Sequence, residues 1–163
     1  MSAGLTIGVK LADSATALLQ RVEAFKKETP EFPEEWDLRA HIGINPMLLA
    51  LSMELALKAW HVFDHDTPKI RGHDLSELFE GLKQESQNRL DVEFKRSVAP
   101  LHPDIFYVDH GIKNVLGQHK SAFIDWRYTH ETKSISFHES TFIATLEMVL
   151  SEFRKRYRTV EVP

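Results

Sequence analysis

The chain contains no cysteine, and this absence excludes several kinds of structure and chemistry at once. Disulfide frameworks, thiolate zinc sites, iron–sulfur clusters and a cysteine nucleophile all require that residue. Any metal ion would therefore have to be held by His, Asp or Glu side chains. A chain without cysteine also suits a reducing compartment, where disulfides are rare.

Long apolar runs and glycine-rich loops are missing as well. No stretch of about 18 consecutive apolar residues occurs, and the start, MSAGLTIGVK, lacks the basic flank and long apolar segment of a signal peptide. We therefore expect a cytoplasmic protein without a membrane partner. The sequence also has no Gly-rich phosphate loop and no Gly-x-Ser-x-Gly elbow, which argues against P-loop NTPases and α/β-hydrolases.

Proline and glycine are scarce, at seven residues each, and they fall mostly between segments with helical periodicity. Strand patterns are weak throughout the chain. A length of 163 residues suits one globular domain with a sizeable core. We therefore predict a single all-α domain over residues 1–163, with its core at about 11–158, folded as an up-and-down bundle of about five helices.

Apolar residues recur every three or four positions in five segments, which is typical of amphipathic helices. The second segment is apolar on nearly every side, so we expect it to be the buried central helix. The predicted helices run from an Asp13 cap to Lys27, from an Asn45 cap through Phe63, from an Asp74 cap to about Phe94, from His110 to Trp126, and from the Ser136–Glu139 capping box to about Tyr157.

Four polar residues interrupt the apolar second helix: Glu54, Lys58, His61 and His65. They are separated by steps of four, three and four, so they share one helix face. Charges inside an apolar bundle are unfavourable unless they are paired. The face therefore either pairs internally, Glu54 with Lys58 or with Arg127, or forms a small charged cleft with Arg127.

The same helix also carries a family resemblance. Three segments together resemble the HEPN (higher eukaryotes and prokaryotes nucleotide-binding) domain family over residues 45 to 155. They are ALSMELALKAW at 50–60, GHDLSELF at 72–79 and FIDWRYTHE at 123–131. The resemblance implies an up-and-down helical bundle that is commonly a homodimer. Members of the family include metal-independent endoribonucleases, toxins, nucleotide-binding modules and parts of phage-defence systems.

Active HEPN ribonucleases carry an Arg followed, after four to six residues, by a His. Arg96 and His102 have that spacing, although Pro100 lies between them at a helix exit, whereas Arg127 and His130 have only two residues between them. If the chain is an enzyme, the resemblance implies metal-independent RNA cleavage, in which His102 or His130 moves the proton. Arg96 or Arg127 would then hold the phosphate. The structural alternatives are a surface Arg with a loop His, and an Arg127 that satisfies a buried carboxylate.

The resemblance further implies RNA or a nucleotide as ligand and no cofactor. The candidate substrate-binding residues are Glu54, Lys58, His61, Tyr128, Arg154 and Arg158. Tyr128 would otherwise pack against the second helix, and the basic end of the chain is also the ordinary complement of a helix C-terminus. The alternative function is a catalytically silent helical module that binds a protein partner or a nucleotide, which the net charge of −4 favours.

Three histidines raise a weaker alternative, a His-ligated metal site. His61 and His65 are one helical turn apart and His73 follows the next turn, but no His-Glu-x-x-His pattern completes a ligand sphere. A further histidine such as His110 or His119 would have to join them. We expect no metal, and we expect His73 to order the turn that Asp74 caps.

Overall fold

The computed structural model describes residues 3–28, 44–101, 111–119 and 138–160. Within these ranges the chain is helical and contains no strand, which confirms the predicted all-α class and the helical bundle. A short 3-10 helix, Ala99–Leu101, follows the fourth helix. The six α-helices of the described ranges are α1 (Ala3–Glu28), α2 (Ile44–His65), α3 (Leu75–Glu80), α4 (Gln84–Ser97), α5 (Gly111–Gln118) and α6 (Glu139–Val160).

Helix α2 lies in the centre of the fold, as its apolar composition predicts. Twelve of its 22 residues are buried, and it packs against α1 along its length and against α3 and α6. Ser52 Oγ donates a hydrogen bond to the Ala15 carbonyl of α1 at 2.7 Å. Trp60 Nε1 donates to the Val149 carbonyl of α6 at 3.1 Å. These two buried bonds fix the position of α2 relative to both neighbours.

The first helix begins eleven residues earlier than predicted. Asp13 is exposed in the middle of α1 and does not cap it, because the helix already starts at Ala3. Glycine allows these early turns to approach α2 closely. A β-carbon on Gly8 would lie 3.3 Å from the carbonyl oxygen of Ala59. Packing against α2 thus stabilises a segment whose two glycines argue against a helix by propensity alone.

The predicted third helix is in fact two helices. Asp74 caps α3 as predicted, with its carboxylate accepting from the backbone N–H groups of Ser76 and Glu77 at 2.8 and 3.3 Å. The chain then breaks at 81–83, where Asp64 of α2 accepts from the Lys83 backbone N–H at 2.9 Å. A buried carboxylate of α2 therefore holds the residue that precedes α4.

The remaining helix predictions are confirmed within the described ranges, except for the Asn45 cap: α2 already includes Ile44, so Asn45 lies inside the helix and does not cap it. Helix α5 starts at Gly111, one residue after the predicted start, and the predicted continuation to Trp126 lies outside the described residues. The apolar stripe of α6 is buried as predicted, although the capping residue Ser136 lies outside. Among the described helices, none has both the length and the apolar character that crossing a membrane would require.

Candidate functional site at the end of helix α2

A buried carboxylate lies at the centre of the predicted polar face. Glu54 is 3% exposed and accepts a hydrogen bond from Lys58 Nζ, one turn further along α2, at 2.7 Å. His73 Nδ1 lies 3.0 and 3.1 Å from the two oxygens of the same carboxylate. The predicted pairing of Glu54 with Lys58 is confirmed, while Arg127, its other predicted partner, lies outside the described residues.

His73 belongs to the segment between α2 and α3 and connects that segment to Glu54. An ionised carboxylate only accepts hydrogen bonds, so Nδ1 of His73 is the donor in this contact. The side chain is 60% exposed although its partner is buried. The contact with Glu54, 19 residues earlier, was not predicted, and the role of His73 in ordering the turn stays a prediction.

The two histidines of the polar face lie against each other, with ring centroids 4.4 Å apart. His65 Nε2 donates to the Gly81 carbonyl at 2.9 Å. His61 Nδ1 is buried without a hydrogen-bond partner in the described part of the chain. Burial and, to a smaller extent, the neighbouring His65 lower the pKa of His61, so its imidazole is neutral near pH 7.

His61 lines a small pocket of about 130 Å³, called the loop pocket below. Its other lining residues are Lys69, Ile70, Arg71, Gly72, Asp74, Glu77, Leu78 and Gly81. Gly72 has a φ of 98°, which only glycine adopts readily, and this conformation turns the segment around the opening. Lys69 and Arg71 form no ion pair with any described residue, whereas Asp74 already accepts from the α3 backbone.

The three-histidine metal alternative has no site in the described ranges. There, no group of three or more His, Asp or Glu side chains is arranged to hold a metal ion. The hydrogen bonds of His65 and His73 run to different partners, a backbone carbonyl and Glu54. His119 is buried against Phe142, and His110 lies outside the described residues.

Arg96, half of the predicted catalytic pair, forms an ion pair within its own helix. Its Nε and Nη2 donate to the two carboxylate oxygens of Glu93 at 2.9 and 2.8 Å. The hydrogen bond and the charge of Glu93 raise the pKa of Arg96, and the pKa of Glu93 is lowered in return. The other predicted catalytic residues, His102, Arg127 and His130, lie outside the described residues, as does Tyr128.

The basic end of α6 contacts neighbouring helices. Arg154, a predicted substrate-binding residue, donates from Nη2 to Thr16 Oγ1 of α1 at 2.7 Å. Arg156 donates to Ser86 Oγ of α4 at 2.7 Å and lies over the ring of Trp60. These contacts give Arg154 and Arg156 a role in joining helices. The side chain of Arg158, also a predicted substrate-binding residue, is outside the described part.

The prediction missed a polar face of α4 that lines an open groove of about 260 Å³. This face consists of Gln84, Gln87, Asn88, Asp91 and Lys95, with Phe79 and Lys113 completing the groove. Both hydrogens of the Gln87 amide point to backbone carbonyls, those of Glu80 and Leu82. Spacings of three, four, seven and eleven residues from Gln84 place these side chains on one helix face, and this signal is visible in the sequence.

The loop pocket provides two chemical capabilities. Lys69 and Arg71 can bind an anion, and the neutral His61 can exchange a hydrogen bond with it. Comparisons of the chain with models of known protein families, with curated proteins and with solved structures found no match.

Proposed function

We propose that the protein is a HEPN-like helical module that recognises RNA and binds its phosphates at the loop pocket. The observation that carries this proposal is the pair of cations Lys69 and Arg71, which have no acidic partner among the described residues. An arginine fork matches the geometry of a phosphate, and a lysine adds a mobile point charge. The neutral imidazole of His61 beside them can complete the hydrogen bonding of a bound phosphate oxygen.

The ion pairs of other basic side chains support the choice of this pocket as the phosphate site. Arg89, Lys95 and Arg96 each form an ion pair with a neighbouring acid, at N···O distances of 2.7 to 2.8 Å. A cation that already has a counter-ion gains less from a phosphate than one without. Because the net charge of the chain is −4, binding has to come from such a local site and not from the whole surface.

The resemblance supports RNA as the ligand. The motif at 50–60 ends one residue before His61, and the motif at 72–79 begins with Gly72; both His61 and Gly72 line the loop pocket. HEPN family members include proteins that act on RNA, so the resemblance favours the same ligand class as these two cations, which lack an acidic partner among the described residues. Free nucleotides share the phosphate chemistry and serve as competitors in the test.

Fluorescence anisotropy with labelled single-stranded RNA tests the proposal. The double variant K69A/R71A should bind roughly tenfold more weakly and reduce the salt dependence of log K by about 1.4, for two lost phosphate contacts. The charge-matched control K10A/K27A removes two exposed lysines of α1 that lie outside the pocket. Equal loss of affinity in both double variants, or RNA binding in neither variant nor wild type, would contradict the proposal.

The second candidate function is a catalytically silent binding module, and the environment of Arg96 favours it. The bidentate contact with Glu93 occupies one edge of the guanidinium and gives the charge of Arg96 a counter-ion. Under this alternative, neither Arg96→Ala nor the wild-type protein changes the length of a bound RNA. A gel-based cleavage assay with wild type tests whether the module is catalytically silent, and the anisotropy assay tests whether it binds RNA.

A further inference from the structure

We infer that the open groove along α4 is a nucleobase site that selects adenine from a bound RNA. The groove, called the α4 groove below, has a volume of about 260 Å³ and is formed by α4 with one residue each of α3 and α5. This inference rests on the proposed recognition of RNA. It adds to the loop pocket, which contacts phosphate, a second site that reads the base sequence.

Two amide side chains of α4, Gln84 and Asn88, carry the inference. Gln84 Nε2 donates a hydrogen bond to Asn88 Oδ1, one turn further along the helix, at 2.9 Å. This bond holds the two side chains together. It leaves Gln84 Oε1 and the Asn88 Nδ2 hydrogens without a hydrogen-bond partner in the described part of the chain. The pair therefore presents one acceptor and one donor on the same helix face.

Adenine has the complementary pattern on the edge that carries its amino group. Its N6 amino group donates and its N7 accepts, and for this reason an asparagine or glutamine amide binds adenine through two hydrogen bonds. Guanine has two acceptors, N7 and O6, on the same edge and pairs better with arginine or lysine. In the α4 groove, the adenine N6 donates to Gln84 Oε1, and N7 accepts from Asn88 Nδ2.

The charged side chains of the α4 groove are already paired, which favours an uncharged ligand. Lys95 Nζ lies 2.7 Å from Asp91 Oδ2, and the other oxygen of Asp91 accepts from the Ile112 backbone N–H at 3.1 Å. Lys113 Nζ lies 3.6 Å from Glu80 Oε1. Because a paired cation gains less from a phosphate than one without a counter-ion, the groove favours a neutral polar group such as a base.

The size and the walls of the α4 groove suit a single base. Its volume is twice the 130 Å³ of the loop pocket but below the roughly 300 Å³ at which sites for drug-sized ligands begin. Gln87 donates to the carbonyls of Glu80 and Leu82 at 3.0 and 2.9 Å, so this wall is fixed in place. Phe79 adds aromatic surface, which protein sites for unpaired bases commonly use.

The α4 groove and the loop pocket are close neighbours, so one RNA strand can contact both. Leu78 lines the loop pocket, and the next residue, Phe79, lines the α4 groove. Gly81 of the pocket and Gln84 of the groove are three residues apart, so their Cα atoms lie at most about 11 Å from each other. Phosphate contacts position a strand, whereas contacts with a base edge specify its sequence.

Fluorescence anisotropy with the full chain and labelled RNA oligonucleotides of equal length tests the inference. Wild type should bind oligo-A roughly tenfold more tightly than oligo-U, which is the size of one bidentate contact between an amide and a base. An oligonucleotide of 7-deaza-adenosine, which has C–H in place of N7, should lose most of this preference. The double variant Q84A/N88A should bind oligo-A no better than oligo-U, with its oligo-U affinity within about twofold of wild type.

Three matched controls make the test specific. Gln84 and Asn88 are exposed and alanine favours a helix, so Q84A/N88A should fold, and circular dichroism checks this. Gln20→Ala removes an exposed glutamine of α1 outside the groove and should keep the wild-type preference. K69A/R71A should weaken the binding of oligo-A and oligo-U by the same factor, because phosphate contacts contain no sequence information.

The outcomes separate this inference from the proposed function. Equal affinity of wild type for oligo-A and oligo-U, or an unchanged preference in the folded Q84A/N88A variant, overturns the adenine site and leaves RNA recognition standing. Full affinity of wild type for the 7-deaza-adenosine probe overturns the contact with N7 and therefore the assigned role of the amide pair. If wild type binds none of the oligonucleotides, both the inference and the proposed function are wrong.

Discussion

Acid should destabilise the fold through His119, which is buried at the end of α5. The residue is 3% exposed, and its ring lies edge-on to Phe142 with centroids 5.2 Å apart. Burial, and to a smaller extent the nearby His138, lower the pKa of His119 from 6.5 to about 4. In the folded protein this imidazole therefore stays neutral where an unfolded chain would protonate it.

The sign and size of the effect follow from linkage. Between pH 6.5 and 4 the unfolded state binds the additional proton, so the stability present above pH 6.5 is progressively lost as the pH falls. With a pKa of about 4 in the folded state and 6.5 in the unfolded state, the loss from pH 7.5 to pH 5 is about 2 kcal/mol. A further decrease in pH towards 4 increases this loss of stability.

Urea unfolding of wild type and His119→Leu at pH 7.5 and pH 5 measures this contribution. The variant cannot titrate at position 119, so its free energy of unfolding should fall by about 2 kcal/mol less than that of wild type. His138→Gln, which removes an exposed histidine, should keep most of the wild-type dependence because burial is the larger cause. Equal pH dependence in wild type and His119→Leu would refute the reasoning.

Two stability predictions test the packing of the fold by thermal or urea unfolding. Asp64→Ala removes the carboxylate that holds Ser86 Oγ at 2.7 Å and faces Arg156, and should destabilise by about 2–4 kcal/mol; a loss below 0.5 kcal/mol would show that α2 and α4 are held together without it. Gly8→Val should cost about 1–3 kcal/mol, because its β-carbon would lie 3.3 Å from a backbone oxygen of α2. Gly117→Ala, which meets only Ser76 Oγ at 3.7 Å, should be neutral or stabilising, and equal losses at the two glycines would contradict the close-approach argument.

Sequence periodicity was sufficient for the helices whose apolar faces form the core. The buried surface of α2 and the stripe of α6 follow from spacings of three and four residues, and the cap at Asp74 is a local signal. The start of α1 and the break after α3 depend on contacts with α2 across the fold. Local patterns contain no information about such distant partners, so these two boundaries were predicted wrongly.

The candidate site also has features that the sequence predicted and features that it did not. The shared face of Glu54, Lys58, His61 and His65 and the pair within it were predictable from helical spacing. The contact between His73 and Glu54 depends on how the following segment folds back over α2, which no spacing rule gives. The predicted roles of His102, Arg127, Tyr128 and His130 concern residues outside the described ranges, and the HEPN relationship, the homodimer and RNA as ligand stay predictions.

The shortness of α3 restricts how the loop pocket can be transferred to other proteins. Six residues are too few for a stable isolated helix, because nucleating the first turn consumes most of the free energy that so few hydrogen bonds provide. Its shape depends on the buried Leu75, Leu78 and Phe79, which pack only when the rest of the bundle is present. A synthetic peptide spanning the pocket segment would therefore be unfolded in water. A graft of this segment into another protein would also have to include the residues against which Leu75, Leu78 and Phe79 pack.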